Sequence, residues 1–368
     1  MKAKLLTGLL FIALFIVSCT KPPTGSPTSL NNTLDSLFAS APEFSGVVLM
    51  ADKGKPTYRK AFGYKNFETK APNTTSSIFE LASLSKQFTA MIIMMLKQDG
   101  KLAYDDLIEN YIPGLPYPGI TIRQLLNHTS GVPDYQDVMD KHWDKRNVAG
   151  NADNIAYLIQ YHPAKRFEPG TKYEYSDTGY MLLASIAEKA SGQDFIELCR
   201  TRIFKPVGMT HTDIRTREDK IKLADMAWGH MYVPEKKRYV RADSFPQFNY
   251  AIWLGNRKGP GRISSTVDDL LKWDRALYTN QLVSQQTLKD AFIPAKLNDG
   301  TLTHYGFGWE LKQSNKLGKI VWHDGDNPGY KTQIIRYVDG DKTVILLCNN
   351  AHEKLPVILK TIESLIEK

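Results

Sequence analysis

Ser83 and Lys86 stand three positions apart in the stretch FELASLSKQFTAMIIMMLKQDG, Phe79 to Gly100. From Leu84 onward, Phe88, Met91, Ile92, Met95 and Leu96 recur at helical spacing, and Gly100 offers a stop with Lys97 in the last turn. On a helix that separation puts the hydroxyl and the amine on one face, one turn apart. A helix start also presents N–H groups without intrahelical acceptors and a partial positive field. A hydroxyl, an amine and backbone donors aimed at one point are the parts of an acyl-transfer site. The pattern is short and recurs at Ser18 and Lys21. Its weight therefore comes from the helix start, the apolar surroundings and partners further along the chain.

Those partners need a scaffold. Met1 to Ser18 reads as a secretory signal, with Lys2 and Lys4 before an apolar run, Leu5 to Val17, too short to span a bilayer with ease. Ile16-Val17-Ser18-Cys19 resembles a bacterial lipobox, which implies cleavage before Cys19 and lipid attachment to its thiol. Residues 19–32, with three prolines, read as a tether. The expected location is the cell envelope, anchored by lipid and facing periplasm or exterior. The remainder, 33–368, is long enough for one large domain or two intimately packed ones. The formal charge of +8 is spread along the chain, and Lys2 and Lys4 supply two units of it. No nucleic-acid module is visible, so no nucleic-acid partner is expected, and an anionic envelope surface is a milder explanation of the charge. Cys199 and Cys348 lie in apolar runs, which suggests two buried free thiols, with a disulfide between them as the alternative. No HExxH or zinc-spaced Cys/His cluster occurs, so neither metal nor cofactor is expected.

Asn32 to Ala39 reads as the start of a helix. Ser45 to Ala51 and Pro56 to Phe62, around Asp52-Lys53-Gly54-Lys55, read as a hairpin. A short helix over Arg123 to Asn127 leads into His128-Thr129-Ser130-Gly131, where His128 and Ser130 are expected to brace a buried loop rather than catalyse. Gln136 to Asn154 is polar and reads as a surface excursion. Tyr175-Ser176-Asp177 precedes a helix over about Thr178 to Ala190, and Asp177 is a candidate cap. Trp228 to Val240 reads as a hairpin around Pro234 and Lys236, and Ser265 or Thr266 caps a helix through Leu277. Strand patterns then dominate: Tyr305 to Leu311, Lys319 to His323, Ile334 to Val338 and Thr343 to Cys348, before a final amphipathic helix. Strands come first and last with a helix-rich stretch between. The fold class is therefore α+β, an antiparallel sheet from both chain ends flanked by helices (about 33–100 and 262–368) with a helix-rich insertion (about 101–261).

Three motifs now stand in order: Ser83-x-x-Lys86, Tyr175-x-Asp177 and His323-x-Gly325. With NHTSG, FEPGTKYEYSDTGY, KPVGMTHT and YGFGW, they resemble the serine β-lactamase and penicillin-binding superfamily, closest to its class C-like branch, over about Leu34 to Glu367. That branch holds β-lactamases, D,D-peptidases, D-aminopeptidases and esterases. The resemblance implies Ser83 as nucleophile, and Lys86 and Tyr175 as the groups that take and return its proton, with the choice of base open. It implies the N–H groups of Ser83 and Asp326, the latter just after His323-x-Gly325, as an oxyanion hole. His323 would line the opposite wall and pass a proton or steady a substrate carboxylate.

Two departures bear on substrate. Asp177 stands where penicillin-hydrolysing class C enzymes usually carry Asn, and an ionised Asp accepts hydrogen bonds where Asn also donates. His323 stands where they carry Lys, and an ordinary His titrates near neutrality. Both weaken the case for β-lactam hydrolysis. The expected function is a monomeric serine hydrolase working through an acyl-enzyme on a small peptide, amide or ester, with D-amino-acid peptides or small esters favoured. A non-catalytic receptor or degenerate enzyme keeping this fold is the alternative. An α/β-hydrolase is disfavoured, since no G-x-S-x-G elbow occurs.

Overall fold

A computed structural model describes residues 27–367. The expected signal segment, Cys19 and most of the expected tether lie outside the described residues. The last part of that tether is helical: the first helix runs Pro27–Ala39, beginning before the expected Asn32. Proline suits a helix start, where its missing N–H would have no partner.

Six strands build the main sheet: β1 (Gly46–Asp52), β2 (Lys55–Phe62), β3 (Glu310–Ser314), β4 (Gly318–Asn327), β5 (Tyr330–Tyr337) and β6 (Lys342–Cys348). Their order is β3-β4-β5-β6-β1-β2. Every pairing is antiparallel, and β1 meets β6 with Gly46 opposite Cys348, so the two ends of the chain close one sheet. β1 is apolar throughout because both of its faces are covered. Val47, Leu49 and Ala51 join one core, while Val48 and Met50 join the other, as a two-residue repeat requires.

Helices α1 (Pro27–Ala39), α2 (Ser85–Gln98), α3 (Asp177–Ser191), α4 (Val267–Ala276) and α5 (Leu355–Ile366) frame the sheet. Leu34 and Phe38 of α1 and Leu355, Ile358 and Ile362 of α5 cover one face. The other face meets α2 and α4, and α3 packs against α2. All of α2 from Ser85 to Leu96 is buried, so its polar residues need partners. Ser85 Oγ accepts from the Ile263 N–H, Gln87 Oε1 from Trp273 Nε1, and Thr89 Oγ1 donates to the Gly259 carbonyl.

One expectation fails in the middle of the chain. Residues 136–154 are not a surface excursion: Tyr135–His142 and Asn151–Tyr161 are helices, and Tyr135, Val138, Met139 and Leu158 join the core. Few apolar anchors among many charges hid the period. The helix-rich insertion also carries short strands, the expected hairpin among them. Phe79–Glu80, Ile263–Ser265 and Asp213–Ile214 form a small three-stranded sheet, and His230–Val233 pairs with Arg238–Arg241. Cys199 and Cys348 are buried free thiols.

Candidate active site

The chain reaches Ser83 through a forced turn. After the short strand Phe79–Glu80, Ala82 adopts a left-handed φ of 51° and opens a 3-10 turn, Ala82–Leu84, that runs straight into α2. Ser83 thus lies in a first turn, where helix geometry leaves its N–H without an intrahelical acceptor. Lys86 follows in α2 and is fully buried. Its ammonium donates to Ser83 Oγ at 3.0 Å, Asp177 Oδ1 at 2.7 Å and the Pro260 carbonyl at 3.2 Å. Three donors meet three acceptors, so the resting lysine is satisfied as the cation.

Asp177 opens α3 but does not cap it; the Ser176 hydroxyl does, accepting from the Gly179 N–H. Asp177 instead faces Lys86 and keeps 36% of its side chain open to the cleft. Burial pulls the Lys86 amine below the ordinary lysine range, against the pull of Asp177. Burial acts to raise Asp177, but the charges of Lys86 and buried Arg257 outweigh it and hold the carboxyl below its usual value. Arg257 is fixed by donating to Tyr135 Oη at 2.9 Å. The Tyr175 ring lies 4.6 Å from the Lys86 nitrogen. Although 40% of Tyr175 is open to the cleft, burial of its phenol end and then the Asp177 charge push its pKa well up, with a hydrogen bond from Ser83 acting the other way.

β4 forms the opposite wall. A two-residue turn, Pro328-Gly329, joins it to β5 and makes Asn327 and Tyr330 the closing pair. Hydrogen-bonded pairs alternate along an antiparallel ladder. The Asp326 N–H therefore points away from β5, towards the edge that β3 leaves open beyond Trp322. Gly325 lies beside the serine turn so tightly that a Cβ there would stand 2.3 Å from the Leu81 carbonyl oxygen and 2.2 Å from Thr332 Oγ1. The Thr332 hydroxyl donates to that same carbonyl at 2.7 Å. Gly308 of YGFGW, at a φ of 75°, packs on the backbone of Lys86 and Gln87, where a Cβ would stand 2.9 Å from the Lys86 carbonyl oxygen.

His323 corrects an expectation. It is buried, and both ring nitrogens are engaged: Nδ1 with the Asp324 carbonyl at 2.6 Å and Nε2 with Tyr305 Oη at 2.8 Å. A carbonyl only accepts, so the proton sits on Nδ1 and Nε2 accepts from the phenol. Burial, reinforced by the Lys86 charge, pushes the ring down to about 3. His323 is a neutral structural wall, not a group titrating near neutrality, and no N–H is left for a substrate carboxylate. His128 is buried as expected of a brace, with Nδ1 accepting from the Ser176 N–H at 3.1 Å, and Ser130 Oγ accepts from the Val132 N–H. Among the described residues no cluster of His, Cys, Asp and Glu could hold a metal ion.

Ser83, Lys86, Tyr175 and Asp177 therefore converge, with Gly325 and Asp326 alongside and His323 behind. Sequence reasoning missed Arg257, the Pro260 carbonyl and Tyr305. Only Tyr305 left a signal, as the first residue of the YGFGW run.

This arrangement has known counterparts. The Beta-lactamase family profile matches residues 34–363. Penicillin-binding protein 4* of Bacillus subtilis is 41% identical over 337 residues, covering 91% of this chain and 75% of that protein. A D-aminopeptidase of Gluconobacter oxydans is 25% identical over 322 residues, covering 87% of this chain, which spans only 58% of that enzyme. A penicillin-binding protein structure from Bacillus halodurans superposes with a TM-score of 0.77 at 25% identity, covering 90% of this chain and 98% of that one. An octameric homologue from Pyrococcus abyssi gives 0.76 at 26%, covering 92% and 77%. Family profile, fold and clustered motifs agree: the chain belongs to the Beta-lactamase family and is a serine hydrolase of that family.

Proposed function

We propose that this hydrolase works through an acyl-enzyme on Ser83 and acts on D-amino-acid amides or peptides, or on small esters, with β-lactams as poor substrates. The observation that carries the reading is the buried amine of Lys86, 3.0 Å from Ser83 Oγ with the Tyr175 ring beside it. Burial draws the lysine down and the phenol up, so Lys86 is the member whose pKa moves towards working pH, and Lys86 is the base.

In this scheme neutral Lys86 takes the Ser83 proton as Oγ bonds to the substrate carbonyl. The N–H groups of Ser83 and Asp326 hold the oxyanion. Collapse breaks the bond to the leaving amine or alcohol, which takes a proton from Tyr175, and Lys86 replaces it. Water then repeats the sequence and frees Ser83. Asp177 sets how much of Lys86 is neutral.

The substrate preference follows from charge. Lys86 has no spare donor, Arg257 is buried on Tyr135, and His323 is neutral with both nitrogens taken. Neither Lys86 nor His323 thus has a donor left to meet a carboxylate beside the scissile bond, and the Arg257 charge falls on Asp177. The relative named a D-aminopeptidase supports a substrate of that kind. The membrane location is likewise proposed, from the Ile16 to Cys19 motif. A panel of D-alanine p-nitroanilide, p-nitrophenyl acetate, a D-Ala-D-Ala peptide and nitrocefin tests the reading. Turnover of the first two should exceed the others and vanish in Ser83→Ala. Efficient nitrocefin turnover, or none of any substrate by folded protein, contradicts it.

A further inference from the structure

A second concavity lies where β4 ends, and two of its lining residues, Glu80 and Asn327, are near neighbours in the chain of the cleft residues. Glu80 precedes Ser83 by three residues, and Asn327 follows Asp326. The cavity, about 60 Å³, is lined by Glu80, Lys220, Arg217, Asp243, Arg262 and Asn327 among others. Most of these charges are already matched. Glu80 is paired with Lys220 and receives Asn327 Nδ2 at 3.1 Å. Asp243 is paired with Arg217 and with Arg241.

Arg262 is the exception. It is only 8% exposed, yet among the described residues no carboxylate lies within ion-pair distance of it. One guanidinium nitrogen donates to the Arg215 carbonyl at 2.9 Å, and its other nitrogens carry no hydrogen bond to the protein. The nearest negative charge felt by Arg262 is Glu80, which Lys220 already holds in an ion pair, so the N–H groups left over suit a further anion, and a planar fork suits a carboxylate best. The backbone points the same way. Arg262 holds a left-handed φ of 79°, a conformation natural to glycine and costly for a long side chain. A cavity of this size has room for a carboxylate head.

We propose that this cavity is a carboxylate-binding subsite in which Arg262 receives an acid group borne on the acyl portion of the substrate, beyond the end of β4. It rests on the hydrolase reading only for the source of that acid. The cleft around Ser83 then takes an uncharged scissile region, and specificity for an acidic substrate is read at a distance.

Arg262→Gly is the informative variant, because glycine relieves the φ of 79° and the protein should melt no lower than wild type. The p-nitrophenyl monoesters of glutarate, adipate and suberate are compared with the neutral pentanoate, hexanoate and octanoate esters, and within each protein the ratio of kcat/KM is read. Wild type should favour the acid by about tenfold or more at one chain length, the worth of one charge-assisted contact, through KM; in Arg262→Gly the ratio should fall to about one. Free glutarate is also tested for raising the melting temperature. A rise in wild type that is absent in Arg262→Gly, with ester ratios near one, supports the carboxylate site but gives it to a free anion. A ratio insensitive to Arg262→Gly, or no acid preference together with no Arg262-dependent rise, overturns the proposal. Failure to hydrolyse any ester would instead sink the acyl-enzyme reading, and the melting arm would still decide the cavity.

Discussion

Asp177→Asn removes one charge from the Lys86 cluster while keeping the shape of the side chain. At 2.7 Å and an effective dielectric of about 20, the Lys86–Asp177 attraction is about 6 kcal/mol. Asp177 keeps 36% of its side chain in solvent, so screening reduces this to roughly 3 kcal/mol. Without that carboxylate, burial and the Arg257 charge act unopposed on Lys86, and its pKa falls. The sign is the same if Tyr175 is the base, because Asp177 also raises the phenol. The acid limb of the acylation profile should therefore move to lower pH. The assay is the second-order rate of Ser83 labelling by a fluorescent penicillin from pH 4 to pH 9. Asn also donates a hydrogen bond that Asp cannot, so the plateau rate with β-lactams should rise. An acid limb that stays in place, or moves up, refutes the claim that Asp177 governs the charge of the Ser83–Lys86 pair.

Other perturbations have equally definite outcomes. His323 is held near 3 in the fold and returns to about 6.5 on unfolding, so the unfolded chain binds more protons between those values and stability is lost as pH falls through that window. From this ring alone, wild type should be about 2 kcal/mol less stable to urea at pH 5 than at pH 7.5, a difference that His323→Gln should shrink; buried His128 adds in the same direction. Gly325→Ala forces a methyl group against the Leu81 carbonyl, and should cost about 2 kcal/mol or more of stability and most of the acylation rate. Full acylation with normal stability would show that β4 and the serine turn need not touch. Cys19→Ser should release the protein from membranes and abolish incorporation of labelled palmitate; unchanged membrane retention would refute lipid anchoring.

The main sheet was legible because its strands carry their own signals. β1 and β2 flank a Lys-Gly turn, and β5 and β6 flank Asp339-Gly340-Asp341. Their pairing across the whole chain followed from order alone. The helices of 135–161 were hidden because Val138, Met139 and Leu158 are sparse anchors among charged neighbours. At the site, residue types gave Ser83, Lys86 and Tyr175, but environment decided their states. Nothing in His323-Asp324-Gly325 tells that Tyr305, eighteen residues earlier, occupies the imidazole, or that burial keeps it neutral. Asp177 read as a cap because it begins a helix; that Ser176 caps instead depends on backbone geometry a single sequence does not carry.

The most direct test of the central claim is intact-protein mass spectrometry after incubation with a β-lactam, followed by peptide mapping. One equivalent of acyl adduct should form on Ser83, be lost in Ser83→Ala, and form far more slowly in Lys86→Met. An adduct on another residue, or an unmodified folded protein after prolonged exposure, would contradict it.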